Sequence, residues 1–148
     1  MKYFLPKDEV QYLTIDKYLA IQKQLSVIDK TDLPNELATH TTVYSYYHGL
    51  MVWQKSKLDR IVMNAQTVYS TIKNSELLDN KSKGAKATAT YLEDYVQSNK
   101  DYIELKEKVI LQEEIYGYLK GICLMLEQKK DMLIQLSANL RSETKLYN

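Results

Sequence analysis

Apolar residues recur at helical spacing along most of the 148-residue chain, and the few breaks in that rhythm mark where its helices should end. From Thr14 onward, Ile15, Leu19, Leu25 and Ile28, with Tyr18 and Ile21 beside them, predict a short helix over 14–28 behind a Thr14/Asp16 cap. Pro34 suits the first turn of a second helix, where its missing N–H has no intrahelical acceptor to lose. From Leu37 a seven-residue rhythm continues through Thr41, Tyr44, His48, Met51, Lys55, Leu58, Val62, Ala65, Tyr69 and Ile72, predicting one long helix over 35–73 with a single apolar stripe. Gly49 is tolerated inside it at a cost of about 1 kcal/mol relative to Ala. Residues 74–87 turn to Asn, Ser, Asp, Lys and Gly and predict a basic connection. Helical spacing resumes through Tyr91, Leu92, Tyr95 and Val96, giving a short helix over 88–98. Asn99 and Asp101 are placed to cap a last long helix over 100–145.

That last helix carries its seam at Tyr102, Leu105, Val109, Gln112, Tyr116, Leu119, Cys123, Leu126, Lys130, Leu133, Ser137 and Leu140, a coiled-coil period. Within it the stretch 115–126 (IYGYLKGICLML) is apolar nearly all round except Lys120, so one packed stripe would leave further apolar surface wet. Gly117 and Gly121, four apart, offer bare backbone for close helix approach. The expected result is a homo-oligomer whose interface includes Tyr116, Gly117, Gly121, Ile122 and Met125. Residues 1–13 hold Tyr3, Phe4, Leu5 and Pro6 without a long apolar run, which predicts a loose arm and neither a signal sequence nor a membrane anchor. The predicted fold is all-α: a long antiparallel helical hairpin with short accessory helices, coiled-coil-like and oligomeric, forming a single helical domain over 1–148.

Composition narrows the function classes. Gly at 4 and Pro at 2 are too few for a β-sandwich or a glycine-rich nucleotide-binding sheet. The single cysteine, Cys123, excludes an intramolecular disulfide and a multi-cysteine metal site, and the chain is expected to be cytoplasmic, in the host cell if it is phage-encoded. A net charge of +1 gives no bulk field to attract nucleic acid, so any such field must come from local clustering. Tyr stands at 13 against one Phe and one Trp, and lysine outnumbers arginine 18 to 2. An AT-rich genome accounts for such a bias, and stacking tyrosines remain the alternative.

Candidate chemistry is sparse. His40 and His48 stand eight apart without a carboxylate or second histidine at a ligand spacing, so no metal is expected. Cys123 lies among Ile122, Leu124 and Met125, where burial suppresses thiolate chemistry. Acidic residues mostly alternate with lysines at helix-surface spacing, as in Glu104 and Lys108, and no nucleophile elbow or phosphate loop is present, so the chain is not expected to be an enzyme or to need a cofactor. The binding pattern is Lys81, Lys83 and Lys86 followed by Tyr91 and Tyr95, joined by Lys55, Lys57 and Arg60 on the second helix. Lysines neutralise phosphates and aromatic faces stack unpaired bases, which is the chemistry of single-strand binding.

The order of elements, with Tyr44, Lys57, Leu58, the 88–96 segment, Asp101-Tyr102, the run LEQKKDMLIQL at 126–136 and Leu140-Arg141-Ser142-Glu143, resembles the phage recombination mediator proteins (UvsY-like) across roughly 37–143. That resemblance implies an all-helical ring-forming oligomer active in DNA recombination and repair. Such a protein binds single-stranded DNA and helps a RecA-like recombinase displace a single-strand-binding protein. The alternative is a non-enzymatic helical adaptor or scaffold that binds a host or phage protein without DNA.

Overall fold

The structure is a computed structural model in which residues 4–147 are described. A 3-10 helix (Lys7–Tyr12) precedes α1 (Ile15–Ser26), α2 (Leu33–Ser82), α3 (Ala89–Gln97) and α4 (Lys100–Leu146), with no strand among the described residues. The long helices α2 and α4 pack against each other, as the matching periods of their seams predict. The sequence suggested one body; the packing divides it into two compact units. The first holds residues up to Gln54 with those from Ile115, and the second Lys55–Glu114.

Local chemistry sets most boundaries. Thr14 caps α1 by accepting from the Lys17 amide at 3.4 Å, and Thr88 caps α3 by accepting from Tyr91 at 3.2 Å. Asn99 Oδ1 accepts from the amides of Asp101 (3.0 Å) and Tyr102 (3.2 Å) at the start of α4. The main departure is the end of α2, which reaches Ser82 where 73 was expected. The polar stretch after Asn74 stays helical because its side chains bond within the helix: Asn80 donates to Glu76, and Lys83 pairs with Asp79 one turn back at 2.8 Å. Gly84 then ends the helix at φ +71°, while Ala85 N–H bonds Asn80 C=O (2.9 Å) and Gly84 N–H bonds Lys81 C=O (3.1 Å). This is the paired closure of a helix terminus that needs a left-handed residue.

In the first unit α2 and α4 run antiparallel, with Tyr44 donating to Glu127 at 3.0 Å and Lys129 paired to Glu36 at 3.0 Å. A third layer covers them. Leu5, Val10 and Leu13 from the N-terminal segment and Leu25 from α1 join Tyr47, Leu50, Ile115, Leu119, Ile122, Cys123 and Leu126 in one buried core. Residues 1–3 lie outside the described residues, and from Phe4 onward the arm expected to be loose is therefore packed structure. Its backbone is also anchored, since Leu5 N–H donates to the Tyr47 hydroxyl at 3.3 Å and Tyr46 donates to Leu5 C=O at 2.6 Å. Lys7 lies 4.6 Å over the Trp53 ring, and Phe4 meets Tyr46 edge-on at 4.7 Å.

The third layer also moves the buried stripe of α2. Leu33, His40, Tyr47 and Gln54 are buried here, whereas Thr41, His48 and Lys55, placed on the seam by the heptad, are exposed. A helix covered on two sides buries a wider arc than a two-helix seam, and the arc's centre shifts toward the added layer. α1 turns Tyr18, Ile21 and Leu25 inward; Leu25 keeps its place on the expected stripe, whereas Ile15 and Leu19 of that stripe are exposed.

In the second unit the two-helix seam holds as predicted. Leu58 and Ala65 are buried and Val62, Tyr69 and Ile72 half-buried on α2, opposite buried Tyr102 and Val109 on α4. α3 buries Leu92 and Val96. The Tyr69 hydroxyl donates to the Glu93 carboxylate and its ring lies 5.8 Å from that of Tyr102. The Tyr69 hydroxyl, then the Gln97 amide, hold the Glu93 carboxyl below its usual range.

Candidate nucleic-acid interface

The expected basic connection in the second unit is shorter than predicted, because Lys81 lies in the last turn of α2 and Lys83 at its cap. Lys81, Lys83 and Lys86 are all exposed. They are not equivalent: Lys83 is engaged by Asp79, whose carboxylate raises the lysine pKa by hydrogen bonding and charge. Lys81 and Lys86 enter no ion pair among the described residues.

α3 presents Tyr91 and Tyr95 one turn apart on a shared face, turned about 100° around the helix from the buried Leu92 and Val96. The two residues are 45% and 40% exposed, with ring centroids 6.3 Å apart at an interplanar angle of 31°. The Tyr91 hydroxyl donates to Glu76 Oε1 at 2.7 Å, which raises its pKa and fixes the ring. Glu76 and Asp79 are therefore part of this patch, although a pattern of lysines and tyrosines alone does not include them. Their spacing to Asn80 and Lys83 was the available signal.

Lys55, Lys57 and Arg60 do not join the patch. Lys57 and Lys81 are separated by about 36 Å along α2 at 1.5 Å per residue. Nor do the three make one cluster: at about 100° per residue Lys57 and Arg60 share a side from which Lys55 is turned away, and Lys55 pairs with Asp59 at 2.5 Å. Beside them, a groove of about 530 Å³ between α2 and α4 is lined by Ala65, Tyr69, Tyr102 and Lys106.

Most remaining tyrosines have structural work. Tyr46 and Tyr47 hold the Leu5 backbone, Tyr44 bonds Glu127, and Tyr18 stacks on Tyr118 at 5.0 Å. Burial pushes the Tyr47 hydroxyl up to about 12. The tyrosine excess thus largely serves packing, and Tyr91 and Tyr95 stand out as an adjacent, exposed pair.

In the first unit, the residues expected to bind a second copy are largely spoken for. Ile122 is 0% exposed within the chain's own core, so it is not a surface residue, and Met125 packs partly against the same core. Gly121 faces α1: an added Cβ would overlap the Tyr18 hydroxyl and lie 3.1 Å from its Cζ. The bare backbone of Gly121 thus makes room for the tip of the Tyr18 side chain of the same chain, not for the backbone of a second helix. Gly117 is open, with nothing within 4 Å of an added Cβ, and Tyr116 is half-buried. The N-terminal segment and α1 cover Ile122 and part of Met125, while Leu124 stays 51% exposed.

Neither histidine lies as the heptad suggested. His48 is exposed and stacks on Tyr44 at 5.7 Å between ring centroids. His40 is only 7% exposed and lines a cleft of about 550 Å³ with Leu25, Val27, Glu36, Leu126 and Lys129. Cys123 is buried, which pushes its thiol pKa up to about 11. Among the described residues no group of three or more His, Cys, Asp or Glu is placed to hold a metal ion, and no helix is long and apolar enough to cross a membrane.

Compared with known proteins, the chain matches no family model, no curated protein and no solved structure.

Proposed function

We propose that the chain binds single-stranded DNA at the end of the second unit and acts as a recombination mediator, helping a RecA-like recombinase onto DNA coated by a single-strand-binding protein. The observation that carries the binding step is the adjacent pair of exposed rings, Tyr91 and Tyr95, one short connection away from Lys81 and Lys86. Rings stack bases without regard to sequence, and the lysines take phosphates. The recombinase and single-strand-binding protein enter this proposal through the resemblance to phage mediators. Assembly of several copies would multiply the modest contacts of each patch.

A second reading, a helical scaffold for a host or phage protein, is favoured by the acids on the same patch. Glu76 and Asp79 offset the lysines, and Glu93 and Asp94 lie on α3 itself.

The salt dependence of binding separates the two. With Lys83 engaged by Asp79, two lysines per subunit remain for phosphates, so log K against log salt should fall with a slope of about −1.4, from about −0.7 per phosphate on a single strand. Asp79→Asn frees Lys83 and should steepen the slope to about −2.1. Fluorescence anisotropy with an oligo-dT strand at several salt concentrations measures both. Loss of binding on joint Lys81→Ala and Lys86→Ala change supports the proposal. Binding untouched by that change moves the site to Lys57 and Arg60, and absence of binding at low salt favours the scaffold.

A further inference from the structure

We propose that Glu36, His40 and Lys129 form a proton-sensitive latch that fastens the 27–32 linker, and with it α1, onto α2 and α4 in the first unit. Three contacts converge on one ion pair. Lys129 Nζ lies 3.0 Å from Glu36 Oε2, with the two side chains only 13% and 20% exposed. The same ammonium donates to the Val27 carbonyl at 2.9 Å, and the other Glu36 oxygen accepts from the Asp29 amide at 3.0 Å. The linker is thus bound at Val27 and at Asp29 through a single Glu–Lys pair.

His40 lies one helical turn beyond Glu36 in the wall of the same cleft, and its Nδ1 is buried without a hydrogen-bond partner. The groups facing it are Glu36 on its own helix, Lys129 and Lys130 on α4, Asp29 of the linker in the cleft wall, and the stacked Tyr44 ring at 6.4 Å. Burial first, then Lys129 and Lys130, hold its pKa below 6.5 against the opposing pull of Glu36. The latched state therefore keeps the imidazole neutral. A protonated ring there is a desolvated cation beside two lysines, and Glu36 is the acid whose charge favours it. Taking that carboxylate weakens both linker bonds at once, and lifting the linker lets water into the cleft.

The sign follows from linkage. A histidine whose folded pKa is depressed stabilises the latched state fully above its open-state value near 6.5, and that stability is lost as pH falls toward the lower folded value. If the open state titrates near 6.5, going from pH 7.5 to 5.0 favours opening by at most about 30-fold.

Amide hydrogen exchange of α1, corrected for intrinsic rates and read as protection factors at the two pH values, tests this on the full chain. Protection of Ile15–Ser26 should fall by up to about 30-fold at pH 5.0, while that of α3 in the second unit is unchanged. His40→Leu should remove the pH effect, as should His40→Gln if the leucine variant folds poorly, and Lys129→Met should leave α1 weakly protected at both pH values. In the wild type, protection should begin to fall near pH 6.5 and level off around the midpoint of the His40 NMR titration, which should lie below 6.5. No fall at pH 5.0, a fall shared equally by α3, a fall that persists in the folded His40 variants, or a His40 midpoint unrelated to α1 release would overturn the latch.

Discussion

Replacing each helical glycine of the pair in α4 by alanine should have opposite effects. At Gly117 an added Cβ meets nothing within 4 Å, so the substitution collects only the helix-propensity gain of about 1 kcal/mol. At Gly121 the same gain is opposed by Tyr18. Its hydroxyl occupies the space of the new Cβ, accepts from Gln22 Nε2 at 2.7 Å, and caps a ring stacked at 5.0 Å on Tyr118. The clash is with the far end of a side chain, so Tyr18 swings aside and the backbone stays put. The cost is then a hydrogen bond of about 1 kcal/mol, an aromatic contact of about 1 kcal/mol, and about 1 kcal/mol of disturbed packing. Gly121→Ala should therefore destabilise by about 2 kcal/mol net, some 3 kcal/mol apart from Gly117→Ala. Urea unfolding followed by circular dichroism measures both, and Tyr18→Leu combined with Gly121→Ala should recover part of the loss. Equal stabilisation by the two alanines would refute the packing of α1 on Gly121.

Two further outcomes follow from the covered core. Val10→Ala should lower unfolding free energy by about 2 kcal/mol in the same urea assay, because Val10 is 0% exposed; a loose arm would give no change. Cys123, its thiol raised from 9.0 to about 11 by burial, should react with a disulfide reagent at pH 8 at least about 100-fold more slowly in the folded chain than in urea, since thiolate falls tenfold per unit. Comparable rates in the two states would show that the thiol is not covered.

Helix type and order were legible because long periodic segments with ordinary caps leave few alternatives. The second-unit parts of α2 and α4 follow the heptad, since there two helices largely cover each other, and the α4 seam continues into the first unit at Leu119, Cys123, Leu126 and Leu133, with Ile115 and Ile122 buried beside it. The first-unit part of α2 escaped the heptad for a physical reason. Leu5, Val10 and Leu13 lie in a segment too short to show a period, yet they add a layer that shares one core with Tyr47 and Leu50, while His48 stays outside. The same layer covers Ile122, whose apolar surroundings in sequence had pointed to a second copy. At the candidate interface the lysines and tyrosines were visible in sequence. The pairing of Lys83 with Asp79 was also available from its i, i+4 spacing, whereas the bond of Tyr91 to Glu76 joins two helices and needs the fold. The cluster of Glu36, His40 and Lys129 likewise joins residues far apart in the chain.

The most direct measurement of the proposed DNA contact is photocrosslinking of the full chain to an oligo-dT strand carrying 5-iodouracil, with the attached residue located by mass spectrometry. A base stacked on the exposed pair should crosslink to Tyr91 or Tyr95, and the yield should fall when both are changed to leucine while helix content is retained. Crosslinks confined to other residues, or none at low salt, would contradict single-strand binding at this patch.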